Sequence, residues 1–353
     1  MEKVKTIRET SLKEIISRVP RVPLGCYPTP LVEAKGLSRA LGGPRILIKR
    51  DDLSGLALGG NKCRQIEFLM GYAREKGFDT ILYGRGYKKK NQSNYAVQLI
   101  AAGKKTGIGI RICMRGDPPS SMETSGNDLL QAIMAPEVSW LGDSETHDDF
   151  VSMVLREADR LREEGRSPYI MQTIYRNQTP IERIGWVNAA GEIDEQLKAL
   201  NIDADYLVIA HSQGGTQSGL VVGAKYLKAT FKVIGISVKF PRDKQILELD
   251  RMTNETANYL GLGIQFAENE MIVYDEYIGN DYDSITPGSV EAIQLVAQTE
   301  GIFLDPVYTG KSMAGLIDLI RKGRLTSKET VVFVHTGGTP AIFQYGDHLA
   351  ESG

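Results

Sequence analysis

The chain has 353 residues, and its 42 Lys and Arg against 44 Asp and Glu give a formal net charge of −2. This balance offers no electrostatic reason to bind nucleic acid or an acidic membrane, and no apolar run approaches the roughly 18 residues of a membrane-spanning helix. The three cysteines and four histidines share no metal-type spacing, which predicts no metal site and fits a reducing cytoplasm.

Short β-rich runs alternate with helical patterns along most of the chain. Strands are predicted, in chain order, at residues 45–49, 80–83, 108–114, 206–210, 232–238 and 331–334. Helices are predicted at residues 66–73, 96–103, 218–227, 290–299 and 313–320. The acid-rich segment 142–149 is predicted to be an exposed loop. Strands that alternate with helices imply parallel sheets covered by helices on both faces.

Lys62 ends the turn Gly59-Gly60-Asn61-Lys62, directly before a predicted helix. In open α/β sheets, ligands bind at such strand-to-helix loops. The positive end of the helix dipole disfavours protonation of a lysine placed there, and partial burial acts in the same direction. A neutral amine is what Schiff-base chemistry requires. The alternative is a tight turn with a solvated lysine.

A second glycine-rich turn, residues 211–217 (HSQGGTQ), lies between a predicted strand and a helix. Successive glycines let backbone N–H groups converge on an anion, and the helix N-terminus adds its dipole. Ser212, Thr216 and Gln217 can add side-chain donors. No P-loop lysine follows, so a nucleoside triphosphate is not indicated. The turn either binds phosphate or only packs the helix on the sheet, and a third turn, residues 335–340 (HTGGTP), either lines the same crevice or is structural.

Several segments, taken together and in order, resemble one known family. They are residues 27–31 (YPTPL), 58–62 (LGGNK), 91–94 (NQSN), 212–217 (SQGGTQ), 304–311 (LDPVYTGK) and 335–340 (HTGGTP). The family is that of D-cysteine desulfhydrase and 1-aminocyclopropane-1-carboxylate deaminase, within the tryptophan-synthase-β-like, fold type II pyridoxal-phosphate enzymes. The resemblance runs from about Pro28 to about Tyr345. It implies two open, twisted, mostly parallel sheets flanked by helices, pyridoxal 5′-phosphate as cofactor, and a small amino acid as substrate.

The resemblance also implies a role for each matching residue. Lys62 forms the Schiff base with the cofactor, Asn94 bonds its phenolic oxygen, and the 212–216 loop holds its phosphate. The catalytic residues implied are Lys62, Ser93, Tyr282 and Tyr308. The cofactor-binding residues are Lys62, Asn94, Ser212, Gly214, Gly215, Thr216, Thr309 and Thr336. The substrate-binding residues are Ser93, Asn94 and Tyr95.

The position of Thr309 differs between the two activities of the family. Thr309 or Thr336 is expected to face the pyridine nitrogen, and the family's deaminases carry a glutamate where this chain has Thr309, whereas its desulfhydrases carry threonine. Threonine leaves the ring nitrogen largely unprotonated and makes the ring a weaker electron sink. This favours desulfhydrase-like elimination over ring opening.

The chain departs from the family at the loop before Ser93. The family usually has two adjacent glycines before the Gln-Ser-Asn motif and often a histidine after it. Here the loop is longer and basic, with Arg85 and three lysines at residues 88–90, and Tyr95 replaces the histidine. The lysines form either a solvated loop tip or a site for a second acidic group on the substrate.

We expect a large cofactor-binding domain from residues 1–64 and 182–353, and a smaller inserted α/β domain from residues 65–181. The expected reaction is β-elimination from a small amino acid, D or L, to a keto acid and ammonia, with Lys62 as the base at the α-carbon. Alternatives are β- or γ-replacement, ring opening of a cyclopropane amino acid, a non-catalytic sensor of the same fold, and a plain nucleotide-binding α/β protein. Fold type II relatives are often dimers, so a homodimer is expected.

Overall fold

The computed structural model describes residues 10–86, 93–118, 125–171 and 180–350. The strands are β1 (Leu31–Glu33), β2 (Arg45–Arg50), β3 (Thr80–Gly86), β4 (Gly109–Arg115), β5 (Glu137–Trp140), β6 (Pro168–Ile170), β7 (Tyr206–His211), β8 (Lys232–Ser237), β9 (Ile272–Tyr274) and β10 (Thr330–His335). The helices are α1 (Leu12–Ser17), α2 (Lys35–Leu41), α3 (Lys62–Glu75), α4 (Asn94–Thr106), α5 (Gly126–Met134), α6 (His147–Glu163), α7 (Pro180–Leu200), α8 (Gly215–Leu227), α9 (Arg242–Tyr259), α10 (Pro287–Glu300), α11 (Thr309–Arg321) and α12 (Gly346–Ala350). None of the helices in these ranges combines the length and the hydropathy that a membrane-spanning segment requires.

The larger sheet joins the two ends of the chain. Its strand order is β1-β2-β10-β7-β8-β9, and every neighbouring pair is parallel except β1 and β2. The last strand, β10, lies between β2 and β7, with Phe333 opposite Ile48 on one side and Val208 on the other. Because parallel strands end at one edge of a sheet, the loops that follow them meet there.

Alternation along these strands gives the sheet two buried faces. Ile46, Ile48 and Phe333 pack under α2, α10 and α11, while Leu47 and Val332 pack under α7 and α8. This arrangement explains the continuous apolar runs in the sequence, since both faces of each central strand are covered.

The smaller sheet, of order β5-β4-β3-β6, is parallel throughout. Helices α3 and α4 cover one face, and α6 covers the other. The prediction of two mostly parallel sheets flanked by helices is therefore confirmed. The domain boundaries expected at 64/65 and 181/182 fall inside α3 and α7 and stay a prediction.

The segment 142–149 is only partly the loop that its composition predicts. Helix α6 begins at His147, and Thr146 caps it by accepting a hydrogen bond from the Asp149 backbone N–H while the Asp149 carboxylate accepts one from the Thr146 backbone. The acidic residues 148 and 149 are thus the first turn of a helix, where negative charge is favourable. The loop prediction was wrong for residues 147–149.

A buried ionic cluster fixes the start of α3 against β2 and α7. Arg64 donates to Asp51 at 2.6 Å and to Glu192 at 2.8 Å, and the Lys49 ammonium lies 2.5 Å from the same Glu192 carboxylate. Burial alone raises the pKa of Glu192, but the hydrogen bonds and charges of Arg64 and Lys49 outweigh it and lower this pKa to about 2. Arg64 lies two residues after Lys62 in α3, so these ion pairs hold the backbone of Lys62 in place.

Candidate active site

A cavity of about 900 Å³ lies where loops from both sheets meet. Every predicted site residue except Thr309 lines it. Lys62 follows β2, Ser93 follows β3, the 212–216 turn follows β7, and Thr336 follows β10. The roles assigned to these side chains stay predictions, but the fold does bring them to one place. The lysines at residues 88–90, and the Asn91 and Gln92 of the NQSN motif, lie outside the described residues.

Lys62 is the first residue of α3 and its side chain faces the cavity. Its ammonium nitrogen lies 5.8 Å from the centroid of the Tyr95 ring. Burial lowers the pKa of Lys62 to about 8, and the negative charge of Glu182 opposes this fall. The amine is therefore much closer to its neutral, nucleophilic form at neutral pH than a solvated lysine is.

The turn before Lys62 needs its glycines because backbone from another loop lies against it. Gly60 has φ 126°, and a Cβ there would stand 2.6 Å from the Gln98 side-chain nitrogen and 3.1 Å from the Thr336 carbonyl oxygen. The Asn61 backbone N–H donates to that same Thr336 oxygen at 2.9 Å. The loop after β10 thus sets the position of Lys62, so the third glycine-rich turn lines the same crevice as the first.

The turn after β7 lies at the N-terminus of α8, where backbone N–H groups and the helix dipole favour an anion. Gly214 caps the helix with φ 82°, a conformation that favours glycine. The Thr216 hydroxyl accepts a hydrogen bond from the Asn61 side chain at 3.0 Å, which leaves its own proton free to point into the cavity. Gln217, expected as a further donor, instead donates to the Ile272 carbonyl at 3.0 Å and packs α8 against β9, so that expectation was wrong.

Two tyrosines face the same cavity and bond each other. The phenol oxygens of Tyr282 and Tyr308 form a hydrogen bond, and their rings are edge to face at 5.8 Å between centroids. Burial is the main cause that raises the pKa of each phenol well above its usual range, so both are protonated at neutral pH. This partly buried pair can donate a proton to a group in the cavity.

Two residues that the sequence analysis did not single out hold this pair in place. The Asp305 carboxylate accepts from the backbone N–H groups of Val307, Tyr308 and Thr309 at 2.8 to 2.9 Å, which fixes the start of α11. The buried Lys311 ammonium donates to the carbonyls of residues 278, 281 and 282 at 2.7 to 3.2 Å and so ties the Tyr282 segment to α11.

Ser93 and Asn94 lie at the N-terminus of α4. The Ser93 hydroxyl caps the helix through the Ala96 N–H and lies 3.1 Å from the Tyr83 phenol. The Asn127 side chain donates to the side-chain amide oxygen of Asn94 at 3.0 Å, which leaves the Asn94 amide nitrogen available as a donor. This helix start can receive a carboxylate, because N–H groups and the dipole both favour negative charge there.

The two threonines expected near the pyridine nitrogen differ in their surroundings. Thr336 lines the cavity, whereas the Thr309 hydroxyl exchanges hydrogen bonds of 2.7 Å with Asp305 and is fully buried. Thr336 is therefore the better placed, and which of them meets the nitrogen stays a prediction.

Pyridoxal phosphate fits this set of residues. It needs an amine of low pKa, a cradle of backbone donors for a phosphate and a donor for its phenolic oxygen. Lys62, the turn at Gly214–Thr216 and Asn94 are the residues that would supply them. The cofactor would contribute a ring that withdraws electrons from the α-carbon. Among the described residues, no cluster of His, Cys, Asp and Glu could hold a metal ion.

Comparisons with known proteins identify the family of the chain. Residues 22–337 match the family model "Pyridoxal-phosphate dependent enzyme". The chain is 36% identical to a D-cysteine desulfhydrase of Klebsiella pneumoniae, over 95% of this chain and 98% of the relative. It is 32% identical to a 1-aminocyclopropane-1-carboxylate deaminase of Burkholderia vietnamiensis, over 94% of this chain and 98% of that one. A solved structure described as an ACC deaminase homologue superposes with a TM-score of 0.83 at 35% identity, covering 96% of this chain and 98% of the other. The protein is thus an enzyme that uses pyridoxal phosphate, and it belongs to the pyridoxal-phosphate-dependent enzyme family of fold type II.

Proposed function

We propose that the enzyme eliminates a group from the β-carbon of a small amino acid, with D-cysteine as the first candidate, and releases a keto acid and ammonia. The observation that carries this proposal is that a lysine of lowered pKa and a partly buried pair of protonated phenols face one cavity. β-Elimination needs a base for the α-proton and an acid for the leaving group, and Lys62 and the Tyr282–Tyr308 pair supply them.

The residues divide the work as follows. The amine of Lys62 takes the proton from the α-carbon, whose acidity bound pyridoxal phosphate would raise by withdrawing electrons. The C–S bond then breaks, and Tyr308 or Tyr282 gives the departing sulfur a proton. With cysteine, one water is consumed, and pyruvate, ammonia and hydrogen sulfide are formed. Ser93 and Asn94 hold the substrate carboxylate at the start of α4 and so fix the α-proton towards Lys62.

Positions 309 and 336 carry threonine and not a residue with a carboxylate. This supports elimination over ring opening. A neutral hydroxyl does not stabilise a protonated pyridine nitrogen, so the ring withdraws fewer electrons. Relatives carry both names, D-cysteine desulfhydrase and 1-aminocyclopropane-1-carboxylate deaminase, so the two activities are the ones to compare first.

The test is to assay the purified holoenzyme with D-cysteine, L-cysteine, β-chloro-D-alanine and 1-aminocyclopropane-1-carboxylate, measuring keto acid, ammonia and sulfide. We expect pyruvate and ammonia from the β-substituted substrates, and none from Lys62→Ala. Mass spectrometry after borohydride reduction should place the cofactor on Lys62. Turnover of the cyclopropane substrate alone would overturn the elimination proposal, and spectral binding without any product would identify a sensor.

We further propose that the enzyme works as a cytoplasmic homodimer. All three cysteines are free, which suits a reducing compartment. Light scattering coupled to size-exclusion chromatography would give the mass in solution, and a value near 38.9 kDa would contradict the dimer.

A further inference from the structure

We infer that Tyr83 is a third side chain that binds the substrate α-carboxylate, beside Ser93 and Asn94, and that it strengthens the preference for a charged carboxylate over a neutral amide. The inference rests on the proposed function, which places that carboxylate at the start of α4. Tyr83 lies outside the motifs of the sequence. It is the fourth residue of β3 and lines the cavity.

The position of Tyr83 follows from the alternation of side chains along β3. Ile81 and Tyr83 share the face of the smaller sheet that α3 and α4 cover, whereas Leu82 packs on the opposite face against α6. The ring of Tyr83 is partly buried, and its phenol oxygen lies 3.1 Å from the Ser93 hydroxyl oxygen at the start of α4. A carboxylate that reaches Ser93 therefore also comes within reach of Tyr83.

The ring of Tyr83 is held by the ring of Tyr95. The two rings stack with their centroids 5.5 Å apart and their planes 14° from parallel. Tyr95 is itself fixed, because its phenol donates a hydrogen bond to the buried Glu182 carboxylate. A phenol has one proton, so that of Tyr95 is committed to Glu182 while its ring still borders the cavity. Of the two stacked phenols, Tyr83 is the one that can donate to a ligand.

The hydrogen bond between Tyr83 and Ser93 can be exchanged for one to the substrate. Either oxygen can be its donor. An ionised carboxylate is a stronger acceptor than a neutral hydroxyl, so the proton of Tyr83 turns to the carboxylate when the substrate binds. The N–H groups and the dipole at the start of α4 favour the same negative charge. Rotation about the phenol C–O bond is enough, and the stacked ring stays in place.

This role differs from that of the two tyrosines assigned to the leaving group. Tyr282 and Tyr308 bond each other, whereas Tyr83 bonds Ser93 at the carboxylate end of the site. Tyr83 is near enough to Tyr308 for the two phenols to interact electrostatically, so the experiment must separate the two roles. A donor to the carboxylate acts in substrate binding, whereas a donor to the leaving group acts only in the transition state.

The experiment measures how tightly the holoenzyme binds D- and L-alanine and the two corresponding alaninamides. These ligands have no leaving group on the β-carbon, so binding is read from the absorbance of the bound cofactor without elimination. Tyr83→Phe keeps the ring and its stack on Tyr95 but removes the donor. It should weaken alanine about ten- to hundredfold, the effect of losing one hydrogen bond to a charged group, and lower the preference for alanine over alaninamide about tenfold.

Tyr72→Phe is the matched control, because it removes a phenol from α3 where Tyr72 packs against Phe78 and Tyr169, outside the residues that line the cavity. It should bind both ligands as the wild type does. With a substrate that yields keto acid, Tyr83→Phe should raise KM by about the same factor as it weakens alanine and change kcat much less. Thermal unfolding and the cofactor spectrum confirm that each variant is folded and loaded.

Two results would overturn the inference. One is a preference for alanine over alaninamide that is the same in Tyr83→Phe as in the wild type. The other is a fall in kcat with unchanged affinity for alanine, which would place Tyr83 at the leaving group. The proposed function is judged separately by product formation. Keto acid with an unchanged preference in Tyr83→Phe removes only the carboxylate contact, whereas a lowered preference with no keto acid from any substrate removes the elimination reaction.

Discussion

The phenol of Tyr95 donates a hydrogen bond to the buried carboxylate of Glu182. That carboxylate is also the charge that opposes the fall in the pKa of Lys62, and the Tyr95 ring lies 5.8 Å from the Lys62 nitrogen. Burial, followed by the charge of Glu182, raises the pKa of Tyr95 well above its usual range, so the phenol stays a donor. Helices α3, α4 and α7 are thus joined next to Lys62.

Glu182→Gln should lower the pKa of Lys62 below its value of about 8, because the charge that stabilises the ammonium is removed while the burial that disfavours it remains. The measurement is the rate at which apoenzyme reacts with pyridoxal phosphate as a function of pH. In the wild type this rate should rise with pH and level off above about 8, as the amine loses its proton. In the variant the midpoint should move to lower pH.

Glu195→Gln, on the exposed side of the same helix, is the control and should leave the midpoint in place. A midpoint that stays the same or rises in Glu182→Gln would show that Glu182 only packs against Tyr95.

Thr216→Val should weaken binding of pyridoxal phosphate by about ten- to hundredfold, the effect of losing one hydrogen bond to a charged group. Valine keeps the shape but removes the hydroxyl that accepts from Asn61 and faces the cavity. Equilibrium dialysis of the apoenzyme gives the affinity. Ser218→Ala, in the next part of α8, removes a buried hydroxyl whose one hydrogen bond among the described residues is to the Gly215 carbonyl, and its affinity should match the wild type. Equal affinities for all three proteins would mean that Thr216 does not contact the phosphate.

Glu192→Gln should lower the free energy of unfolding at pH 7 by about 3 to 5 kcal/mol, because Arg64 and Lys49 lose a buried partner. The pKa of Glu192 is about 2 in the folded protein against 4.5 for the ordinary group, so its carboxylate stabilises the fold above pH 4.5. That contribution is lost as the pH falls from 4.5 towards 2.

Denaturant unfolding of the wild type and the variant at several pH values checks this prediction. The difference between them should be largest near neutral pH and shrink in acid. A difference that stays constant with pH would show that the loss comes from packing and not from the charge of Glu192.

The sequence predicts the central strands and the glycine turns because their signals are local. Lys62 and Thr216 each lie at a turn whose neighbours in the chain mark the start of a helix. Strands β5 and β6 lack such a signal, since β5 is an exposed edge strand and β6 has three residues. Helix α7 is buried against α3 and α8 on different sides, so no single apolar stripe marks it.

The residues that complete the site could not be predicted in the same way. Glu182 is 87 positions away in sequence from Tyr95, whose phenol it accepts a hydrogen bond from. Lys239 follows another strand, and its ammonium contacts the Tyr282 ring. An isolated glutamate or lysine carries no pattern, and only the packing of helices and loops gives it a neighbour. Lys311 stood inside a recognised motif, but its bonds to residues 278–282 depend on a segment with no regular structure.

Lys311→Met should reduce kcat by about ten- to hundredfold and leave the cofactor in place, because it releases the Tyr282 segment from α11 without touching Lys62 or the phosphate cradle. Tyr282→Phe removes the phenol itself. If Lys311 acts by positioning that phenol, the double variant Lys311→Met/Tyr282→Phe should be little worse than Tyr282→Phe alone. Lys322→Met, exposed just after the same helix, is the control and should keep full activity. Two results would contradict this. They are losses in kcat that multiply in the double variant, or a cofactor spectrum that changes in Lys311→Met. Either would show that Lys311 supports the fold as a whole and has no particular relation to Tyr282.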